Sequence, residues 1–221
     1  MNPSPDPEHG SETDDWADRA EQAVLDQALL LSPSQGWTRP MTLAAARKTG
    51  LNRGEADLLL PGGPRDLAAL LSRRHDAAAL SALPDPASLK IRQRIRQAVV
   101  ARLEAAGPDH EAVRRWAGFL ALPLNLPLAL RLVWESSDGL WRWAGDTATD
   151  ENHYSKRAIL AGILISCLAL DLTSGRTAAL SYLDARIQNV MDFEVWKAGI
   201  KPADFARDVA GALAQLRYGR A

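Results

Sequence analysis

The sequence predicts an all-helical protein, and three observations indicate this fold class. Apolar residues recur at three- and four-residue spacing along most of the chain, beginning with Trp16, Ala20 and Val24. Proline and glycine interrupt these periodic segments where helices are expected to end. No stretch shows sustained alternation of polar residues with β-branched ones, which is the pattern typical of strands. We therefore expect helices and essentially no sheet.

The first half of the chain predicts four helices after an acidic, proline-rich leader, residues 1–13. The leader has few apolar residues, so we expect it to be disordered. Each helix is delimited by a capping residue before it and by glycine or proline after it. The predicted helices run from Asp14 or Asp15 to the segment 32–36, from Thr42 to about Thr49, from Asn52 or Arg53 to the segment 61–64, and from Asp66 to Leu83.

The second half predicts longer helices, one of them strongly apolar. The segment 158–170 is an apolar run of about 13 residues, whereas a membrane span needs roughly 20. It is therefore expected to be the buried central helix of a bundle, and no transmembrane segment is predicted. The helices of this half are expected at about 86–106, 111–122, 125–143, 152–172, 176–196 and 202–217.

Composition limits the class of protein further. The chain has 221 residues, 47% of them hydrophobic, and a formal net charge of −1. This charge argues against a protein that binds nucleic acid by bulk charge, because such domains are usually strongly basic. The single cysteine, Cys167, permits no internal disulfide and fits a reducing compartment. The N-terminus lacks a secretory signal and transit-peptide character, so we expect a cytoplasmic protein, or one peripheral on the inner face of the cytoplasmic membrane.

The residues that catalysis would need are missing from the sequence. The four histidines are scattered and show no metal-ligand spacing, and no glycine-rich phosphate loop is present. Cys167 lies in an apolar helical segment and is interpreted as a packing residue. Asp146 and Asp150 are explained as helix-capping residues near a turn. The sequence therefore predicts a protein that is not an enzyme and that needs no metal or cofactor.

The N-terminal segment 14–83 resembles the headpiece of the TetR regulators in the order and spacing of its elements. It has a helix, a short helix, a turn with Gly50, a second short helix and then a longer one. The resemblance implies a helix-turn-helix fold. Asp57 stands where the family carries a tyrosine that contacts phosphate, and Glu55 adds another negative charge. Both carboxylates would repel a DNA phosphate, so the sequence argues against DNA binding. A TetR-type, ligand-responsive transcriptional regulator remains the alternative function.

The segment 141–160, WRWAGDTATDENHYSKRAIL, carries the most specific signal. Aromatic residues end one helix, a Gly-Asp turn follows, and Thr149 or Asp150 can cap the next helix. The residues taken alone are also compatible with an ordinary interhelical turn followed by a basic pair at the surface. This run resembles the C-terminal domain of the lipid-binding accessory family of ubiquinone (coenzyme Q) biosynthesis. His153 departs from the pattern, since some relatives carry tryptophan there.

The resemblance implies a function and a set of partners. Members of that family have a TetR-like fold, form homodimers, hold an isoprenoid or phospholipid ligand, and support the hydroxylase that oxidises demethoxyubiquinone. The implied domain organisation is a degenerate helix-turn-helix headpiece, 14–83, followed by a helical lipid-binding and dimerisation domain, 86–221. The hydroxylase-binding residues implied by the match are Asp150, His153, Tyr154 and Arg157.

Two further sets of residues are predicted to contact lipid or membrane. The apolar helices around Leu126–Trp134 and Ala158–Leu172 suit either a thick core or an internal ligand cavity. The last predicted helix carries an apolar stripe that suits packing, dimerisation or a peripheral membrane contact. The predicted lipid-binding residues are Leu130, Trp134, Trp141, Ile159, Ile163 and Cys167, and the predicted membrane-contact residues are Phe205, Val209, Leu213 and Leu216.

Overall fold

The computed structural model describes the backbone of residues 8–147 and 151–199 and the side chains of residues 16–147 and 153–188. Within these ranges it contains α-helices and short 3₁₀ turns and no strand, which confirms the all-helical class. The helices are α1 (Glu8–Gln35), α2 (Arg39–Lys48), α3 (Arg53–Leu59), α4 (Pro64–Ala82), α5 (Ile91–Ala106), α6 (His110–Leu120), α7 (Leu126–Trp143), α8 (Glu151–Ser174) and α9 (Arg176–Gly199).

The helix boundaries differ most from the predicted ones at two places. Helix α1 begins at Glu8, ahead of the predicted cap at Asp14 or Asp15 and inside the predicted leader. Helix α5 begins at Ile91 rather than at residue 86, because Pro86–Ser88 forms a separate 3₁₀ turn and both Leu89 and Lys90 are extended. The predicted helix 202–217 lies outside the described residues.

Helices α2 and α3 form the predicted helix-turn-helix. Gly50 occupies the turn with a φ of +86°, a conformation that favours glycine. Asn52 and Glu55 cap α3 reciprocally: the Asn52 side chain accepts from the Glu55 amide, and the Glu55 carboxylate accepts from the Asn52 amide. Asp57 accepts from Arg39 at 2.6 Å, so the α3 carboxylate neutralises one of the nearby cations that could have met a DNA phosphate.

A hydrophobic core joins α1, α2 and α4 to α6 and α7. Two buried tryptophans connect these helices through their ring N–H groups: Trp37 donates to the Pro64 carbonyl at 2.7 Å, and Trp116 donates to the Ala68 carbonyl at 3.0 Å. Burying the ring while satisfying its donor is the favourable arrangement for tryptophan. Helix α4 contacts α1 and α2 as well as α7.

The chain divides into two compact units between Leu180 and Ser181. The predicted boundary between headpiece and bundle, at residues 83–86, lies inside the first unit. The division into a headpiece, 14–83, and a lipid-binding domain, 86–221, stays a prediction.

One helix within the described ranges, His153–Ser174, is long and apolar enough to span a membrane by length and composition, with a mean hydropathy of 1.6. The expectation that this segment is too short to span a membrane rested on the run 158–170 alone. The whole helix passes on its length and mean hydropathy, although Lys156, Arg157 and Asp171 flank that run. A second candidate arises only if Ile91–Leu120 and Pro123–Trp143, which are bent by 90°, are counted as one span. The core helix of a globular bundle passes the same test.

Candidate functional site: the α7–α8 hairpin

The turn after α7 is a glycine-dependent helix stop. Gly145 has a φ of +88°, its amide donates to the Arg142 carbonyl, and the Asp146 amide donates to the Trp141 carbonyl, both at 3.0 Å. This pair of bonds is the Schellman arrangement. Arg94 of α5 secures the turn by donating to the Ala144 carbonyl at 2.7 Å. The turn directs Asp146 back toward α8.

A charge cluster ties α7 to α8, and it consists of the buried Arg157 and the partly buried Asp138, Asp146 and Lys156. The Arg157 guanidinium, only 2% exposed, donates through Nε to Asp138 Oδ1 at 2.6 Å and through Nη1 to Asp146 Oδ2 at 3.0 Å. Lys156 Nζ donates to Asp146 Oδ1 at 2.6 Å. Each buried charge in the cluster therefore has an opposite partner, as buried ions require.

The cluster shifts the pKa values of its members in the directions that keep them ionised. Burial favours the neutral form of the Asp146 carboxyl, but bonds from Lys156 and Arg157 outweigh it and lower the pKa of Asp146 below its usual value. Burial likewise disfavours the charged form of Arg157, and bonds to Asp138 and Asp146 outweigh it and raise the pKa of Arg157. Both groups are therefore charged throughout the physiological range.

Two aromatic rings, the aromatic pair, lie on the same two helices as this cluster: half-buried Trp134 and exposed Tyr154. The rings of Trp134 on α7 and Tyr154 on α8 stack with centroids 6.1 Å apart, and Tyr154 is 64% exposed. His153 meets Tyr154 edge to face at 5.2 Å. The ring N–H of Trp141 on α7 donates to the Lys156 carbonyl on α8 at 3.0 Å and so also links the two helices. Large aromatic rings that stay at the surface are common anchors in binding interfaces.

The predicted partner-binding residues differ in their accessibility. His153 and Tyr154 are accessible, whereas Arg157 is buried in the charge cluster and cannot present its guanidinium to a partner. Arg157 therefore positions α8 rather than contacting a partner. Asp150 lies outside the described residues.

Sequence reasoning missed Asp138 and misjudged Asp146. Asp146 was expected to cap a helix, but its carboxylate binds Lys156 and Arg157, which were read as a possible surface pair. Asp138 lies on a different helix from Arg157, 19 residues earlier. The only feature near Asp138 in the sequence that indicates an ion pair is Arg142, four residues later, which Asp138 also binds.

The predicted lipid-binding residues occupy different depths. Ile163 and Cys167 are buried, Trp134 and Trp141 are half-buried, and Leu130 and Ile159 are exposed. Clefts of about 420 and 300 Å³ lie elsewhere and are lined by none of these six residues. The predicted membrane-contact residues, Phe205, Val209, Leu213 and Leu216, lie outside the described residues.

Two observations concern chemical reactivity. Burial, followed by the charge of Asp171, raises the pKa of the Cys167 thiol to about 11, so the thiol is neutral at physiological pH. Among the described residues, no group of three or more histidine, cysteine, aspartate or glutamate side chains is placed to hold a metal ion.

Replacing Gly145 with alanine is expected to destabilise the hairpin by about 1–2 kcal/mol, because an L-residue is strained at positive φ. The added Cβ would also approach Arg94 Nη1 at 3.2 Å. Urea unfolding of Gly145→Ala measures the change. Gly162→Ala is the matched control: its Cβ would meet nothing within 4 Å inside α8, so stability should rise by about 0.5–1 kcal/mol. Equal stability of the two variants would contradict this account of the turn.

Comparison with known proteins supports the resemblance drawn from the signature. The model of the COQ9 family matches residues 126–194, which begin at α7 and include all of α8. The mitochondrial ubiquinone biosynthesis protein COQ9 of Rattus norvegicus is 28% identical over 83% of this chain and 63% of its own length. The Bos taurus protein is 30% identical over 70% of this chain and 51% of its own length, and the Homo sapiens protein is 29% identical over 70% and 52%. The chain thus spans about half to two thirds of these curated relatives.

These names overturn one prediction. A cytoplasmic protein, peripheral on the cytoplasmic membrane, was expected, but the relatives are named as mitochondrial proteins. The expectation rested on the composition of the N-terminal residues, which does not determine where a folded domain acts. The interpretation of the signature is supported as a resemblance: the chain is similar to the COQ9 proteins, and their family model matches residues 126–194.

Proposed function

We propose that the chain is a lipid-binding accessory protein of ubiquinone biosynthesis. In this role it binds an isoprenoid quinone precursor and presents it to demethoxyubiquinone hydroxylase, without catalysing the reaction itself. The observation that carries the proposal is the aromatic pair on α7 and α8, with Tyr154 exposed, beside an outward-facing apolar surface of α8. The pathway is supported by the names of the relatives, which are ubiquinone biosynthesis proteins.

The outward surface of α8 suits an isoprenoid chain. Its exposed residues recur every three or four positions and are apolar, so they form one continuous stripe. Gly162 within it has open space where a side chain would lie. An isoprenoid has no polar groups along its length, and contact with this stripe removes apolar area of both molecules from water. The stripe comprises Ala158, Ile159, Gly162, Ile165 and Ala169.

The hydroxylase contact is assigned to His153 and Tyr154, with Trp134 as their neighbour. These rings end the apolar stripe of α8 at the hairpin turn, so a protein bound there would lie next to the head of a lipid on the stripe. The charge cluster fixes α8 relative to α7 and thereby holds the rings in place. A homodimer and a membrane contact by the residues near the C-terminus complete the proposal.

The hydroxylase contact is tested by measuring the affinity of purified hydroxylase for the immobilised full chain. We expect Tyr154→Ala to weaken binding roughly tenfold or more, as truncation of a central aromatic anchor usually does. Leu58→Ala on α3 is the control, because Leu58 is 84% exposed and far from the signature in sequence. Unchanged affinity of Tyr154→Ala would contradict the proposed contact.

The lipid is tested by native mass spectrometry of the full chain purified from its own host. We expect a bound isoprenoid lipid in the wild type and its loss in Ile165→Asp, because a carboxylate in the stripe opposes apolar contact. Leu58→Asp should keep the lipid. A wild type without any bound isoprenoid would contradict this part of the proposal.

The transcription-regulator alternative is not favoured. The relatives found are biosynthesis proteins, and the carboxylate of Asp57 on α3 is bonded to Arg39 at 2.6 Å.

A further inference from the structure

Three leucines project into solvent where α6 passes into α7. Leu122 is 52% exposed, Leu124 79% and Leu126 48%, and Pro123 between them is exposed as well. We name Leu122, Leu124 and Leu126 the leucine turn. Several neighbouring exposed leucines form an apolar patch, which in folded proteins marks a contact site more often than single exposed leucines do.

The leucine turn is held in a fixed conformation. Arg65 of α4 donates to the Asn125 side chain at 3.0 Å and to the Leu124 carbonyl at 2.8 Å. The side chain of Asn125 is buried and donates through Nδ2 to the Phe119 carbonyl at 2.9 Å. The backbone amide of Asn125 donates to the Leu122 carbonyl. Two backbone carbonyls of the turn are thus already bonded within the protein. Entry into an apolar phase is far less costly for a backbone whose polar groups are satisfied.

A cationic cleft adjoins the turn. It has a volume of about 420 Å³ and shares Leu122 with the leucine turn. Arg114 and Arg115 line it together with Trp37 and Phe119. Glu111 is the acidic group in the lining, and it lies 3.9 Å from Arg114. Among the side chains that the structure describes, Arg115 has no ion-pair or hydrogen-bond partner, so the cleft keeps an excess of positive charge.

We propose that the leucine turn and this cleft together bind an anionic membrane surface. The leucines enter the boundary between headgroups and acyl chains, and a lipid phosphate lies between Arg114 and Arg115. Apolar residues flanked by arginines match this layered chemistry, because the phosphates lie just above the apolar boundary. This contact is separate from the aromatic pair and from the residues near the C-terminus. It goes beyond the proposed function, since it needs neither quinone nor hydroxylase.

The leucine contact is tested by co-sedimentation of the full chain with vesicles of phosphatidylcholine and phosphatidylglycerol that contain no quinone. We expect Leu124→Ser to lower the partition coefficient roughly tenfold, because a leucine side chain no longer leaves water. Leu58→Ser removes an equally exposed leucine from α3 and should bind as the wild type does. A wild type that does not bind, or equal losses in the two variants, would overturn the proposal. Since the vesicles lack quinone, the result is independent of the proposed function.

The arginine contact is tested with the double variant Arg114→Gln/Arg115→Gln. We expect binding to phosphatidylglycerol-containing vesicles to fall about twenty-five-fold, at about fivefold per arginine, while binding to pure phosphatidylcholine stays unchanged. Added salt should reduce the wild-type preference in the same way. Arg47→Gln/Lys48→Gln removes an adjacent, exposed basic pair from α2 as the control. If the control variant loses as much binding, the preference for phosphatidylglycerol comes from the overall charge of the protein. That result would overturn the proposed role of the cleft.

Discussion

Replacing Arg157 with methionine is expected to destabilise the protein by about 3 kcal/mol, because it removes one partner from a buried ion cluster. Asp138 and Asp146 are 20% and 5% exposed, and each loses a bond of 3.0 Å or shorter. The value lies at the lower end for broken buried pairs, since Lys156 still binds Asp146. Urea unfolding at neutral pH measures it.

Arg142 provides the matched control for this prediction. It binds the same carboxylate, Asp138, at 2.8 Å, but its side chain is 73% exposed. Exposed pairs contribute about 0–1 kcal/mol, so Arg142→Met should have a small effect. Arg157→Lys should not restore stability, because a lysine ammonium cannot replace a planar guanidinium that donates to two carboxylates. Similar stabilities of Arg157→Met and Arg142→Met would contradict the role of the cluster.

Below about pH 6.5, His75 is expected to make the folded state progressively less stable. Its ring is buried in α4, and neither ring nitrogen has a hydrogen-bond partner in the structure. Burial first, and then the charges of Arg102 and Arg74, lower the pKa of His75 from 6.5 to about 3. The Asp109 carboxylate lies 3.8 Å away, beyond hydrogen-bonding distance.

The sign of this effect follows from proton linkage. Between pH 6.5 and about 3 the unfolded chain binds a proton at His75 and the folded chain does not, so acid favours unfolding. Each pH unit costs about 1.4 kcal/mol, which gives about 5 kcal/mol over the whole window. At neutral pH the folded state carries no penalty from protonation.

Urea unfolding of the wild type and of His75→Leu, near pH 7 and near pH 5, checks this prediction. In the variant, the free energy of unfolding should no longer fall with pH by the amount that His75 contributes. The variant should also be more stable at neutral pH by about 1 kcal/mol, because two unsatisfied buried polar atoms are removed. His110→Leu is the control, since the His110 side chain is 47% exposed. Parallel slopes for the wild type and His75→Leu would contradict the linkage.

Most of the helices could be predicted because their signals are local. Capping residues such as Asn52 and stop signals such as Gly50 act within one turn of the helix that they delimit. The predicted start of α5 was wrong because Pro86 can begin either a helix or a 3₁₀ turn, and the neighbouring residues do not decide between them. The start of α1 was wrong because the polar residues before Asp14 show no periodicity.

The candidate site could be predicted only in part. The signature located the hairpin and the family, and it singled out Tyr154, which is exposed on α8. It did not reveal that Arg157 faces inward, because its partner Asp138 lies on another helix. It also did not distinguish the two sides of the apolar helix α8, one buried at Cys167 and one exposed at Ile165.

The amino-acid sequence by itself determined the helical class, most helix ends and the resemblance to the COQ9 family, because periodicity, caps and a long signature are properties of neighbouring residues. The tertiary structure decided which charges are buried and which apolar residues stay in water. Arg157 was predicted to face a partner and is buried, whereas Leu124, which is as apolar as the core leucines, is 79% exposed. Burial depends on which helices pack together, and that packing is set by contacts distant in the chain.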